Sequence, residues 1–254
     1  MKYILITSLI TLSLIISGFA KPAHVIATKR INTMNDAILQ IVKSYPTDGR
    51  FMYSWDRDPS KREPYDGSSK DIIYDGVTVM NGNSRMNTFC CGLTLEVYIR
   101  AADLYLNQHS TKNAQLMDSQ SISSDTTKTS YLVKTPLTKL PVSKFPDFKN
   151  RWFCTYKESP GPGDALEFYK LGYIINDWRE VKSGDFVQFW RTPGSGHSAV
   201  FIEWLKDGKS NIIGFKYWSS QKSTQGVNYN NEYFTDKGKV IREKTFFTRA
   251  LPPQ

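Results

Sequence analysis

The sequence is poor in cysteine, with three in 254 residues, and it holds only three histidines. So few cysteines exclude a disulfide-built scaffold. No Cys or His pair has zinc-ligand spacing, so no metal site is expected. The chain has one long apolar run, which excludes a polytopic membrane protein. No stretch holds five or more Lys/Arg, so the formal charge of +9 is dispersed and no dedicated nucleic-acid surface is expected. Glycine numbers only 16, without a repeating triplet, which rules out a collagen-like chain, and no internal repeat is found. Aromatics are not scarce: at 13% they exclude a chain disordered throughout.

The apolar run opens the sequence. Lys2 provides a positive start, Ile4 to Ile16 is apolar apart from Thr and Ser, and Gly18 and Ala20 place small residues where a signal peptidase cuts. This pattern predicts a signal peptide over 1–20, cleaved after Ala20. Tyr3 to Ala20 falls just short of the ~20 residues of a spanning helix, so no stable membrane insertion is expected once the peptide is removed. The predicted location is secreted or periplasmic, in the cell envelope. A basic exported chain meets anionic surfaces: cell-wall polymers, lipid headgroups or nucleic acid outside the cell.

The remaining residues, 21–254, read as a single domain. Met34, Ile38, Ile41 and Val42 recur at helical spacing after Asn32-Thr33. Asp71 to Val79 predicts a hairpin turning on Asp75-Gly76. The most regular helix begins near Cys90, with Asn87 or Thr88 as its cap and Leu93, Val97, Ala101 and Leu104 as its apolar stripe. Gln108 to Lys128 is polar and Ser/Thr-rich, Pro136 to Pro146 is proline-punctuated and irregular, and Asp164 is placed to cap a helix from Ala165 to about Leu171. Beyond Asp185 the pattern changes to strands: 186–190, 197–204, 212–218 and a last one at 246–250. Helices first and sheet second predict an α+β fold.

The cysteines are Cys90, Cys91 and Cys154. Adjacent cysteines rarely bond each other. Either Cys90 or Cys91 could therefore pair with Cys154, or all three stay reduced, and the odd count leaves one thiol over. Cys90 falls in the first turn of the most regular helix, where unpaired backbone N–H groups favour a thiolate and can hold an oxyanion. Gly92 keeps side-chain bulk away just behind it. His197 opens a strand directly after the glycine-rich turn Pro193–Gly196, a position from which it can act as base and acid for a thiol. His24 and His109 stand in weaker contexts. A third group to orient the imidazole is sought on the following strand, at Ser219, Ser220 and Gln221, where the amide oxygen of Gln221 suits the role. Trp190, Tyr217 and Trp218 are candidates for the cleft wall.

At these residues the chain resembles a family. Phe89-Cys90-Cys91-Gly92-Leu93-Thr94 is similar to the nucleophile motif of NlpC-like cell-wall cysteine peptidases, in the papain-like superfamily that also holds CHAP amidases. Ser183 to Trp190 resembles their Gly-Asp strand, and Gly196-His197-Ser198-Ala199-Val200-Phe201 their histidine strand, in the same order. The resemblance implies a papain-like fold, with a nucleophile helix packed on an antiparallel sheet. It also implies amide hydrolysis through a thioester without a cofactor, most naturally in peptidoglycan peptides, with Cys90 as nucleophile, His197 as base and Gln221 in the third position. Cys90 and His197 are farther apart than in compact members, which implies an insertion at about 108–180. Two alternatives use the same residues: an acyltransferase or transglutaminase-like enzyme with the same Cys-His pair, and a secreted binding module with a Cys90–Cys154 disulfide.

Overall fold

The computed structural model describes residues 30–55, 65–109, 130–135, 137, 139–153, 158–192, 194–234 and 238–253. The signal peptide and its cleavage point, His24, Cys154 and the Ser/Thr-rich stretch from 110 onward lie outside the described residues. Ile31–Gln254 forms one compact unit. Among the described residues no helix is long and apolar enough to cross a membrane.

The fold is mixed α+β. Helix α1, Met34–Lys43, begins at a capping box in which Thr33 and Asp36 satisfy each other's backbone N–H groups. Strands β1, Asp71–Tyr74, and β2, Val77–Met80, make the expected hairpin, and β3, Ser130–Leu132, joins β1 in parallel. Helix α2 runs from Cys90 to His109. It packs against α1 and against two strands of the main sheet.

That sheet has six antiparallel strands: β4, Gly172–Ile174; β5, Phe186–Arg191; β6, Ser195–Lys206; β7, Ile212–Gln221; β8, Gly226–Tyr233; and β9, Val240–Ala250. Their spatial order is β4-β9-β5-β6-β7-β8, so the last strand of the chain inserts beside β5. Phe234, just past β8, bridges to Val240 at the start of β9, which curls the sheet back on itself. Both faces are therefore buried. Phe186, Val200 and Trp218 face the core shared with α2, while Val187, Phe189, Phe201, Phe215, Tyr217 and Phe247 fill a second core on the other side. This explains the near-continuous burial of β5.

Several expectations change. Helix α2 is buried all round over Cys91–Ile99 rather than along one stripe, and its buried carboxylates, Glu96 and Asp103, are matched by partners. Glu96 accepts from Tyr45 Oη at 2.6 Å and from the Ser69 amide at 2.6 Å, and Asp103 accepts from Tyr131 Oη at 2.6 Å. The proline-punctuated region is not irregular throughout: α3 spans Phe145–Trp152 with Pro146 in its first turn, where the missing N–H costs nothing. Phe148 and Trp152 are fully buried against Tyr98, so this part of the 108–180 stretch is built into the core. Helix α4 starts earlier than expected, at Pro162–Phe168, and its N-cap is Gly161; Asp164 instead pairs with Arg151 at 3.1 Å.

The Gly-Asp pair ahead of β5 has a structural explanation. Gly184 has φ +92°, with the backbone of Asn35 where a Cβ would project. The buried Asp185 carboxylate accepts from Asn35 Nδ2 (2.8 Å), the Lys182 amide (2.7 Å), and Arg249 Nε (3.0 Å) and Nη2 (2.8 Å). One side chain thereby ties α1, the β5 entry and the end of β9 together.

Candidate active site

The turn that delivers Cys90 is fixed from several sides. The Thr88 amide donates to Met52 C=O (2.8 Å), and the Ser54 amide to Thr88 C=O (3.0 Å), so residues 51–55 run beside the turn. The Phe89 amide donates to Gly67 C=O at 3.2 Å. Thr88 does not cap α2 with its side chain; its hydroxyl donates to Ser220 Oγ at 2.7 Å instead. The first helical bond runs from the Leu93 amide to Phe89 C=O, 2.9 Å. The amides of Cys90, Cys91 and Gly92 precede it, as a helix start requires. Gly92 is obligatory for a steric reason, since a Cβ there would stand 1.9 Å from Asp66 C=O.

On the sheet, β6 and β7 pair from Val200↔Trp218 and Phe201↔Tyr217 onward. Nearer the strand end they part, and Ser219 Oγ takes the Ser198 carbonyl at 2.7 Å. The Cys90 turn meets the sheet at this opened end. The Ser198 amide hydrogen-bonds to the Cys90 sulfur, and the His197 imidazole interacts with the same sulfur by hydrogen bond and by charge. Residues 107 apart in sequence are thus brought together.

Cys90 and Cys91 are both reduced, in no disulfide. The Cys90 thiol is held well below the usual thiol range. Its largest cause is a hydrogen bond from the Cys91 thiol; the charge and hydrogen bond of His197 and the Ser198 amide act the same way, against an opposing push from burial. Cys90 is half-buried, whereas Cys91 is buried in the core at 6% exposure. The sequence offered Cys91 only a motif position and a possible bridge to Cys154, not a hydrogen bond to the neighbouring sulfur.

His197 is 5% exposed and stands edge-on between Phe189 (centroids 5.4 Å) and Tyr217 (5.6 Å). Its Nε2 is buried with no hydrogen-bond partner among the described residues, which leaves Nδ1 to face the thiol. Gln221 ends β7, and its Oε1 accepts from Tyr217 Oη at 2.9 Å while its Nε2 is buried and unpartnered. Ser219 and Ser220 are committed to Ser198 and Thr88. His109 is remote in character, exposed and stacked on Tyr105 at 4.0 Å.

The cleft wall needs correction. Tyr217 and Trp218 are fully buried and line no open surface, because both sheet faces are covered. Trp190 is nearly buried, with Nε1 on Ser159 C=O (3.1 Å), and forms one side of a cleft of about 260 Å³ shared with Arg191, Glu158 and Lys244. Next to the Cys90 turn, Trp55 is 44% exposed and packs edge-on against Phe89 at 4.6 Å. Trp55 gave no sequence signal, because it lies in a short segment outside any periodic element.

Among the described residues no cluster of three His, Cys, Asp or Glu side chains could hold a metal ion. Comparison of the chain with protein-family models, with curated proteins and with solved structures gives no match.

Proposed function

We propose that the chain is an exported cysteine hydrolase of papain-like, NlpC-like type that cleaves an amide bond, with peptidoglycan peptides as the substrate class. The observation that carries this reading is the half-buried Cys90 thiol at the start of α2, in no disulfide, meeting the His197 imidazole and the Ser198 amide, which with the Cys91 thiol lower its pKa. A free Cys90 also favours the catalytic reading over a bridged binding module.

The thiolate attacks the amide carbon, and the carbonyl π electrons move to oxygen, where amides of the first helical turn can receive them. The protonated imidazole gives its proton to the leaving nitrogen, the C–N bond breaks, and an amine departs from a thioester. Water then loses a proton to the neutral imidazole and attacks the thioester, releasing the carboxylic acid and restoring the thiolate. Hydrolysis and acyl transfer share the first half and differ in whether water or an amine takes the acyl group.

The test is incubation of the purified chain with peptidoglycan fragments, with product mass read with and without an added amine. New amine and carboxylic acid ends are expected, and they should vanish in Cys90→Ala and His197→Ala variants that keep the wild-type circular dichroism. Amine adducts in place of acids would favour the acyltransferase. A folded chain whose Cys90 does not react with iodoacetamide would end the enzyme reading altogether.

A further inference from the structure

Gln188 is a buried amide on the face of β5 that packs toward α2, two residues on from Phe186. Buried polar groups of this kind are held by partners. Its Oε1 accepts from the hydroxyl of Ser198, the residue opposite it on β6. A Cβ on Gly196 would stand 3.1 Å from Gln188 Nε2 and 2.9 Å from the Trp190 ring, so the glycine leaves the amide its place.

Ser198 stands where β6 loses its neighbour. Phe201 bonds toward β5, its amide donating to Asp185 C=O (2.8 Å) and its carbonyl accepting from the Gly184 amide (2.9 Å). Backbone groups of successive strand residues point to opposite sides, so Val200 and Ser198 turn theirs toward β7. Pairing with β7 stops at Val200↔Trp218, while β7 runs on to Gln221 beside β8. The Cys90 turn enters this gap. Thr88 Oγ1 donates to Ser220 Oγ on the β7 side, and the Ser198 amide donates to the Cys90 sulfur on the β6 side. The Ser198 carbonyl accepts from Ser219 Oγ at 2.7 Å. The sulfur therefore stands where a β7 carbonyl would continue the ladder. Ser198 lacks the strand partner that would otherwise fix its backbone, and side chains hold its hydroxyl and its carbonyl instead.

We propose that Gln188 and Ser219 are positioning residues: they grip Ser198 by its hydroxyl and by its carbonyl, and so hold its amide on the Cys90 sulfur. The inference rests on the Cys90–His197 reading above and names what keeps one of the sulfur's donors in place. Among the described residues two titratable groups face the sulfur, Cys91 from α2 itself and His197 from β6. Gln188, Ser198 and Ser219 are uncharged, so substituting them reaches Cys90 through hydrogen-bond geometry and not through a changed charge.

The experiment measures the rate of Cys90 alkylation by iodoacetamide in the full chain from pH 4 to 9, which needs no substrate. In wild type the rate should already be high well below the pH of a free thiol. Ser198→Ala keeps the amide and deletes the hydroxyl. It should move the acid limb upward by about half a pH unit, slowing alkylation there roughly threefold, and leave the alkaline plateau unchanged. Gln188→Met and Ser219→Ala should do the same. In a Ser198→Ala background Gln188→Met should add nothing, because both cut one bond, whereas Ser219→Ala should add. Should Gln188→Met or Ser219→Ala fail to fold, Ser198→Ala, smaller by one oxygen, carries the test. Variant limbs superimposed on a low wild-type limb, or a lowered plateau with the limb in place, would overturn the positioning role and leave the Cys–His reading standing. A wild-type limb at ordinary thiol pH would overturn that reading itself.

Discussion

Thr88 and Ser220, 132 residues apart in sequence, share a buried hydrogen bond of 2.7 Å, and this bond seats the turn before Cys90 on the end of the histidine-bearing hairpin. The Ser220 hydroxyl also reaches Thr88 C=O at 3.3 Å, so the two residues are latched in both directions. Thr88→Val keeps the shape and removes the donor, leaving a buried serine oxygen short of a partner. The expected cost is about 1–2 kcal/mol in a urea titration. A slower alkylation of Cys90 should accompany it, because the same latch fixes the sulfur against β6. An unchanged alkylation rate would show that the neighbouring backbone bonds hold the turn without it.

Cys91 offers a chemically sharper contrast. Its thiol is the first cause of the low pKa of Cys90, and a hydroxyl can donate in its place. Cys91→Ser should therefore keep the acid limb of Cys90 alkylation close to wild type, while Cys91→Ala should move it upward by about one pH unit. The sign follows from the thiolate: losing a donor raises the thiol pKa, so more alkaline solution is needed for the same thiolate fraction. Equal shifts in both variants would mean that side-chain volume, and not hydrogen bonding, sets the effect.

Away from the reacting groups, Asp185 should matter for stability alone. Its carboxylate is fully buried and paired with Arg249, so Asp185→Asn leaves the guanidinium without its counter-charge. A loss of about 3–5 kcal/mol is expected in denaturant titration. The pH profile of Cys90 alkylation should not move at a temperature where the variant is still folded. A moved profile would tie this end of β5 to the site.

These cases show why part of the molecule was legible beforehand. Local chemistry could be read: the helix start at Asn32-Thr33, the Asp75-Gly76 hairpin turn and the apolar runs of β5 to β7 each depend on residues a few positions apart. The helix start at Cys90 and the strand that carries His197 were readable because each leaves a recognisable local pattern. The hydrogen bonds that link Tyr217, Gln221, Glu232 and Arg191 were not, since they are assembled by the curl of the sheet, which brings β5 and β8 side chains together across two intervening strands. The assignment of Tyr217 and Trp218 to a cleft wall failed for the same reason: aromatic residues on a strand do not announce that both faces of the sheet will be covered. Helix α3 was missed because its core contacts, Phe148 and Trp152 on Tyr98, override a proline-rich neighbourhood.

Gly92 joins the local and non-local parts. A methyl at this position would stand 1.9 Å from Asp66 C=O and 2.7 Å from Gly67 Cα, so either the loop or the helix start must give way. The loop is the less free of the two. Glu96 grips the Ser69 amide at 2.6 Å, and Lys149 holds Asp66 at 2.9 Å. Gly92→Ala should therefore displace the first turn of α2, drawing the Cys90 sulfur away from Ser198 and His197. Overpacking of this kind costs about 1–3 kcal/mol, and Cys90 alkylation at pH 6 should fall along with stability. Gly208→Ala provides the contrast, for a Cβ there meets nothing within 4 Å, and its stability should stay within about 0.5 kcal/mol of wild type. If Gly92→Ala lost stability but kept the wild-type alkylation profile, the loop would be the part that yields, and the start of α2 would be held by the sheet alone.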